Sequence, residues 1–131
     1  MTSRITDEEY AKATKMRETI KEHVLKLFQS NNNNEQKSAI IIPTAPTIAP
    51  LLASPQADLD DMRRRLISLC SLASLCGLPQ VTLPLAHIPV EDGTNNDSIT
   101  RAPVGVSIVG PPNSDKAVLN AAVRICKHYI L

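Results

Sequence analysis

The stretch that most limits what this chain can fold into is residues 66–85, LISLCSLASLCGLPQVTLPL, which passes from a helix-forming half through a glycine stop into a proline-bearing strand. Its helical half continues an apolar series, Leu59, Met62, Leu66, Leu69, Ala73 and Cys76, whose steps of three and four turn one face inward. From Leu66 onward the other faces are also apolar or small, relieved only by Ser68, Ser71 and Ser74, which predicts a helix enclosed on nearly all sides. Gly77 can take the left-handed conformation that closes a helix, and Pro79 cannot continue one. Val81, Leu83 and Leu85 then alternate with Gln80, Thr82 and Pro84, the period of a strand with one apolar face. Pro84 has no N–H to give to a ladder, so the strand belongs at a sheet edge or carries a bulge.

A second constraint comes from the prolines ahead of that helix. Pro43, Pro46, Pro50 and Pro55 fall within PTAPTIAPLLASP and forbid regular structure, leaving an extended connection of fixed shape. Before it, residues 39–42 are a short unbroken apolar run, which suits a strand covered on both faces as in a parallel sheet. After it, Ser54 and Pro55 suit the cap and first turn of the helix, with Asp58, Asp60 and Asp61 at the positive end of its dipole. The spacings Asp60 to Arg64 and Asp61 to Arg65 allow solvated ion pairs worth a few tenths of a kcal/mol each, about what such pairs contribute on any helix surface.

Thr6 followed by Glu9 has capping-box spacing and predicts the start of a long first helix. Tyr10, Ala13, Ile20, Val24 and Leu27 form its stripe, with Met16 and Phe28 alongside, while Lys12, Lys15, Glu18 and Glu22 face water. Residues 30–37 (SNNNNEQK) are polar and aperiodic, the composition of a flexible loop. Downstream, residues 87–102 are polar and turn-rich and join the Val81 strand to a second alternating run, Val104, Val106 and Ile108, as an antiparallel hairpin with a long loop. Gly110, Pro111, Pro112 and Asn113 break the chain, and Ser114 caps a last helix striped by Val118, Ala122, Ile125 and Tyr129.

The order helix, strand, helix, strand, strand, helix predicts an α/β fold, with helices packed on a small mixed sheet. Strands one and two should be parallel neighbours or near neighbours, joined by a right-handed crossover through the central helix. The 131 residues suit one unit, with a helix over 1–29, the loop over 30–37 and an α/β segment over 38–131.

A net charge of +1, without a basic stripe and with only two tyrosines and one phenylalanine, argues against a nucleic-acid partner. No apolar run approaches the roughly 20 residues that span a bilayer, and the N-terminal residues are charged, from which a cytoplasmic location is expected. Cys70, Cys76 and Cys126 occupy apolar helical positions and are odd in number, which fits reduced, buried thiols. Neither a metal site nor a cofactor is expected, since His23, His87 and His128 have no paired spacing with the cysteines or with carboxylates.

Candidate nucleophiles fare no better. Ser68, Ser71 and Ser74 read as helix-interior residues, and no serine stands in a glycine frame. Cys76 beside Gly77 lies at the negative end of a helix, which disfavours a thiolate. GPPNSDK at residues 110–116 could offer an anion a helix N-terminus, but Asp115 repels phosphate and a plain cap accounts for it. Glu91, Asp92 and Asp97 lack the spacing of a calcium loop and read as a soluble hairpin tip.

Three motifs in order, IIIPTAP at 40–46, LCGLPQVTLPL at 75–85 and PVGVSIVG at 103–110, resemble the C-terminal part of the amidase signature family. Residues 63–84 are most similar to plant amidases that hydrolyse indole-3-acetamide and to the related chloroplast outer-envelope import receptor. The resemblance covers nearly everything from about residue 39 onward. It implies a partial amidase-signature fold and a parent activity of carboxylic amide hydrolysis. The family's serine nucleophile, second serine and lysine base, and the glycine- and serine-rich segment that shapes its oxyanion site, all lie in its N-terminal half; nothing here resembles that segment, so no catalytic residue carries over. What carries over is a wall of the substrate cleft, Thr44 after the first strand with Gln80 and Thr82 beside it. Ordinary backbone satisfaction at a proline-rich turn accounts for the same residues equally well. The resemblance further implies unpaired sheet edges, and with them either a complementary amidase N-terminal half or self-association as the partner. A non-catalytic interaction module is the competing reading, and plastid association of a longer relative is compatible with both.

Overall fold

The computed structural model describes residues 5–29, 38–50, 54–90 and 100–129. Along the chain these form α1 (Asp7–Gln29), β1 (Ile40–Pro43), α2 (Gln56–Cys76), β2 (Gln80–Val90), β3 (Thr100–Val109) and α3 (Asp115–Tyr129). The expected loop over 30–37 and the acidic tip Glu91, Asp92 and Asp97 lie outside the described residues.

The predicted order of elements holds, and the class is α/β. The three strands lie in the order β1-β3-β2, with β3 antiparallel to both neighbours. β1 and β2 therefore run the same way as near neighbours, but β3 fills the place between them. For the described strands this corrects the mixed pairing: every ladder is antiparallel, because the hairpin partner inserts where a direct β1–β2 ladder would have been. The hairpin is also longer than its sequence suggests. Residues 87–90 and 100–102, expected in the loop, extend the two strands instead.

Pro84 does mark the irregularity in β2. Pro84 pairs with Gly105 and Ala86 with Val104, so Leu85 is an extra residue and the strand bulges there. β2 is also an edge strand, where the missing N–H of Pro84 and Pro89 can be tolerated. Pro103 lies in the part of β3 that runs past the β1 ladder, which spans only Val106 to Val109 on that strand.

Helices cover both faces of the sheet. On one side Val24 of α1 and Ala73 and Cys76 of α2 pack with Leu78 and Val109, joined by Ile20, Phe28, Ile40 and Ile42. On the other, Val118 and Ala122 of α3 pack on Leu83 and Ile108, joined by Val81, Val106 and Ile125. Ile108 and Val109 are adjacent in β3 and point to opposite faces, as strand geometry requires. The strand covered on both faces is thus β3, with Ser107 at 0 %, Ile108 at 3 % and Val109 at 0 % exposure, and not β1, whose Ile41 is 65 % exposed. Position decides this, since β3 is central and β1 is an edge.

The central helix shows the same split between pattern and cover. Its predicted stripe is the side that is covered, from half-buried Leu59 to buried Ala73 and Cys76. Its other faces are not enclosed, with Ile67 59 % exposed and Cys70 on the surface, because among the described residues no third layer lies beyond α2. Gly77 closes the helix in the left-handed conformation (φ 66°, ψ 43°), and Leu78 N donates to Ala73 O at 2.9 Å in a Schellman-type turn. Arg17 of α1 reaches across to donate from Nε to Leu75 O at 2.9 Å, placing a cation at the negative end of α2. At the other end Pro55, not Ser54, holds the cap position and no side chain caps it; the Pro55 carbonyl accepts from Asp58 N and Leu59 N.

The Thr6–Glu9 capping box forms as spaced, with Thr6 N donating to Glu9 Oε2 at 2.8 Å and Glu9 N to Thr6 Oγ1 at 3.2 Å. The α1 stripe is buried only toward its C-terminal end, through Ile20, Val24 and Phe28; Tyr10, Met16 and Leu27 stay exposed because α2 contacts only part of the helix. In α3, Val118 and Ala122 are buried while Tyr129 is not. Ser114 precedes that helix as expected, but its hydroxyl donates back to Pro111 O at 2.6 Å.

Candidate functional site

Two of the three residues expected on a cleft wall are joined through a residue outside that expected set. Ser107, in the middle of β3, stands opposite Ile42 on β1 and Thr82 on β2. Its Oγ lies 3.0 Å from Thr82 Oγ1 and 3.2 Å from Thr44 Oγ1, so three hydroxyls run in a line across the sheet. Thr44 is held a second time by its backbone, whose N–H donates to Gly105 O at 3.1 Å. Gly105 is required there by space. A Cβ on it would stand 2.8 Å from Leu83 O and 3.2 Å from Thr44 Oγ1.

Exposure falls toward the centre of this line. Thr82 is exposed, Thr44 is half-buried and Ser107 is fully buried. Gln80 is exposed and pairs with Val109 across the ladder, two residues along β2 from Thr82 and on the same face of that strand. The Cys70 thiol approaches Thr44 O at 3.7 Å from α2. A signal for Ser107 is present in the sequence. Residues 103, 105, 107 and 109 form the second face of β3, and a serine between Gly105 and Val109, facing a threonine of the partner strand, is a polar residue at a core position.

The remaining candidates stay apart. Ser68, Ser71 and Ser74 donate to carbonyls of Arg64, Ser68 and Ser71 within α2, so their hydroxyls serve the helix. His23 and His128 each donate from Nδ1 to a carbonyl four residues back, and His87 lies on β2 opposite Pro103. Cys76 is buried, and burial pushes its thiol above the ordinary value, against the weaker opposing pull of Lys21 and Arg17. Among the described residues no group of three or more His, Cys, Asp or Glu side chains is placed to hold a metal ion, and no helix is long and apolar enough to cross a membrane. At the start of α3, Ser114 and Val118 side chains fill the space beside Gly110, and Asn113 takes the left-handed conformation (φ 61°).

An open groove of about 450 Å³ lies elsewhere, between residues 47–50, the first turns of α2 and Val90. None of Thr44, Gln80 or Thr82 lines it. On its rim Asp61 pairs with Arg65 at 2.7 Å, the second of the two expected ion pairs, while Asp60 accepts from Gln56 Nε2 at 3.0 Å instead of meeting Arg64. Both partners of the Asp61–Arg65 pair are largely solvated, which leaves it little weight in stability.

What this α/β unit belongs to is answered by comparison with known proteins. The model of the Amidase family matches residues 1–119, and the chain belongs to that family. It is 32 % identical to mandelamide hydrolase of Pseudomonas putida over 116 residues, 88 % of this chain and 21 % of that protein. It is 33 % identical over 81 residues to the chloroplast outer envelope protein 64 of Arabidopsis thaliana, 62 % of this chain and 12 % of that protein. Among solved structures, a glutamyl-tRNA(Gln) amidotransferase chain from Thermotoga maritima superposes with a TM-score of 0.67 at 23 % identity, over 94 % of this chain and 23 % of the other. That likeness establishes the fold as a piece of an amidase-type architecture. The chain spans between an eighth and a quarter of the length of these relatives.

Proposed function

We propose that this chain supplies the C-terminal portion of an amidase-signature protein, contributing a wall of the amide-binding cleft and none of the Ser-Ser-Lys catalytic residues, and that it does not hydrolyse amides alone. The observation that carries this reading is the family match over residues 1–119 in a chain with no glycine- and serine-rich segment and, among the described residues, no serine hydroxyl bonded to a base. The serine hydroxyls with a partner among the described residues bond to backbone carbonyls or to threonine hydroxyls. A serine becomes a nucleophile only when a base takes its proton, and among the described residues no lysine or histidine is bonded to a serine hydroxyl. Thr44, Gln80 and Thr82 are then neutral hydrogen-bonding groups suited to an uncharged amide. Indole-3-acetamide is the substrate of the parent enzyme in this proposal, and the cytoplasm its location.

The missing chemistry comes from a complementary N-terminal amidase half, or the exposed edge is covered by a second copy of this chain. Exposed Ile41 on an edge strand and exposed Ile67 and Leu75 on α2 support a partnered state. The test is an assay of the purified chain with indole-3-acetamide and simple aryl amides, alone and mixed with a separately produced N-terminal amidase half. Background rates alone with hydrolysis on mixing are expected. Turnover by the chain alone would overturn the proposal. Specific binding to another protein without any effect on hydrolysis would favour the competing role as a non-catalytic interaction module.

A further inference from the structure

The line Thr44–Ser107–Thr82 has a property that none of its members has singly. Ser107 is fully buried and its hydroxyl has one proton, with one threonine oxygen 3.0 Å away and the other 3.2 Å away. Were it to accept from both threonines, its own proton would be left buried without an acceptor, the arrangement that interiors avoid. It therefore donates to one threonine and accepts from the other, and the line has a direction. Three hydroxyl protons serve two internal bonds, so one proton is left for an outside acceptor, at Thr44 or at Thr82 but not at both. Gly105 and the Thr44 N–H to Gly105 O bond keep the Thr44 end in place while this is decided.

We infer that Ser107 is a positioning residue, which couples Thr44 and Thr82 from opposite edges of the sheet into one directional hydroxyl unit for a neutral hydrogen-bonding group such as a carboxamide. The ligand part rests on the cleft-wall reading given above; the coupling does not. A carbonyl oxygen arriving at Thr82 fixes the proton there and turns the Ser107 and Thr44 hydroxyls with it. Ionic groups play no part in the line, which gives a carboxylate product no counter-charge to hold it.

The experiment is a double-mutant cycle of Thr44→Val and Thr82→Val on the full chain, read by denaturant unfolding, or by amide exchange of β3 where the melt is not cooperative. Either single change leaves Ser107 one partner; both together leave its buried hydroxyl none. The double variant should lose at least about threefold more in its folding equilibrium constant than the product of the two singles, the lower range of coupling between interacting groups. In a Ser107→Ala background the same two changes should be additive. Additivity with Ser107 in place would overturn the inference, and this first cycle decides it even if Ser107→Ala does not fold. A titration with acetamide, followed through the methyl resonances of both threonines, separates the two layers. Shifts at both that collapse to one in Ser107→Ala support the unit, shifts at only one in the native chain overturn it, and no shift at either with a non-additive cycle overturns the cleft reading alone.

Discussion

Ile41 and Ile108 are the same residue type, stand directly opposite each other in the β1–β3 ladder, and differ from 65 % to 3 % in exposure. Their sequence surroundings point the wrong way, since Ile41 sits in an unbroken apolar run expected to be covered on both faces and Ile108 in an alternating one. The difference lies in what is above them. α3 lays Val118 and Ala122 on Leu83 and Ile108, over β2 and β3, and β1 falls outside that cover. On the opposite face, where α1 and α2 provide the layer, β1 contributes Ile40 and Ile42 to the core like its neighbours. The same edge strand is thus a core element on one face and an open surface on the other.

Truncating the two isoleucines should separate them most. Ile108→Ala should cost about 2–5 kcal/mol by removing methyl groups from a packed site, against about 0.5 kcal/mol or less for Ile41→Ala, measured by urea unfolding. Similar losses at both positions would mean that Ile41 is covered in solution, as a partnered edge would be. Gly105→Ala comes next, at about 1–3 kcal/mol, because the new Cβ meets the Leu83 backbone, which cannot swing away as a side chain would. Its effect should appear at Thr44 as well as in overall stability. A loss without any change at Thr44 would detach the edge strand from the centre.

Far from the sheet, Thr6→Ala should cost about 1 kcal/mol or less through the lost cap of α1. Glu9 adds a pH dependence there. Its hydrogen bonds with Thr6 hold the carboxyl below the ordinary value of 4.5, so its contribution is complete above that value and disappears as pH falls through the lowered one. A helix content that is flat across that range would remove the capping box from the account.

The smallest stability effect expected is at Cys76, which repeats the comparison within α2: Cys70 is exposed, Cys76 is 2 % exposed, and both are free thiols. Cys70 should react with a thiol reagent at neutral pH far faster than Cys76. Burial raises the Cys76 value, so the folded chain holds that proton more tightly than the unfolded one. Its stabilising effect is full below the ordinary value of 9.0 and falls as pH rises above it. Equal labelling of the two thiols would show that the layer over Cys76 opens readily and would revive a reactive-cysteine reading.

Much of this was legible in the residues. The capping box at Thr6, the stop at Gly77, the irregularity at Pro84 and the covered stripe of α2 all depend on local geometry, which a few neighbouring residues specify. The amidase kinship was legible through three motifs in order. The candidate site was legible only at its ends. Thr44 and Thr82 came, with Gln80, from the amidase resemblance as an expected cleft wall, but the serine that joins them is far from Thr44 along the chain and meets it only because β3 enters between β1 and β2. Gln80 shares the strand face of Thr82 and is not part of the hydroxyl line.

By itself, then, the sequence determined the kinds of elements, their order, the stop at Gly77 and the break at Pro84, and which stripe of each helix is apolar, because helix and strand periods and the conformations of glycine and proline are properties of short segments. The tertiary structure alone decided the strand order β1-β3-β2, the extension of the hairpin to Val90, the exposure of Ile41 against the burial of Ile108, and the burial of Ser107 between two threonines. Each of these depends on which surfaces meet across long separations in the chain, and apolar patterning says that a face will seek cover without saying what will supply it.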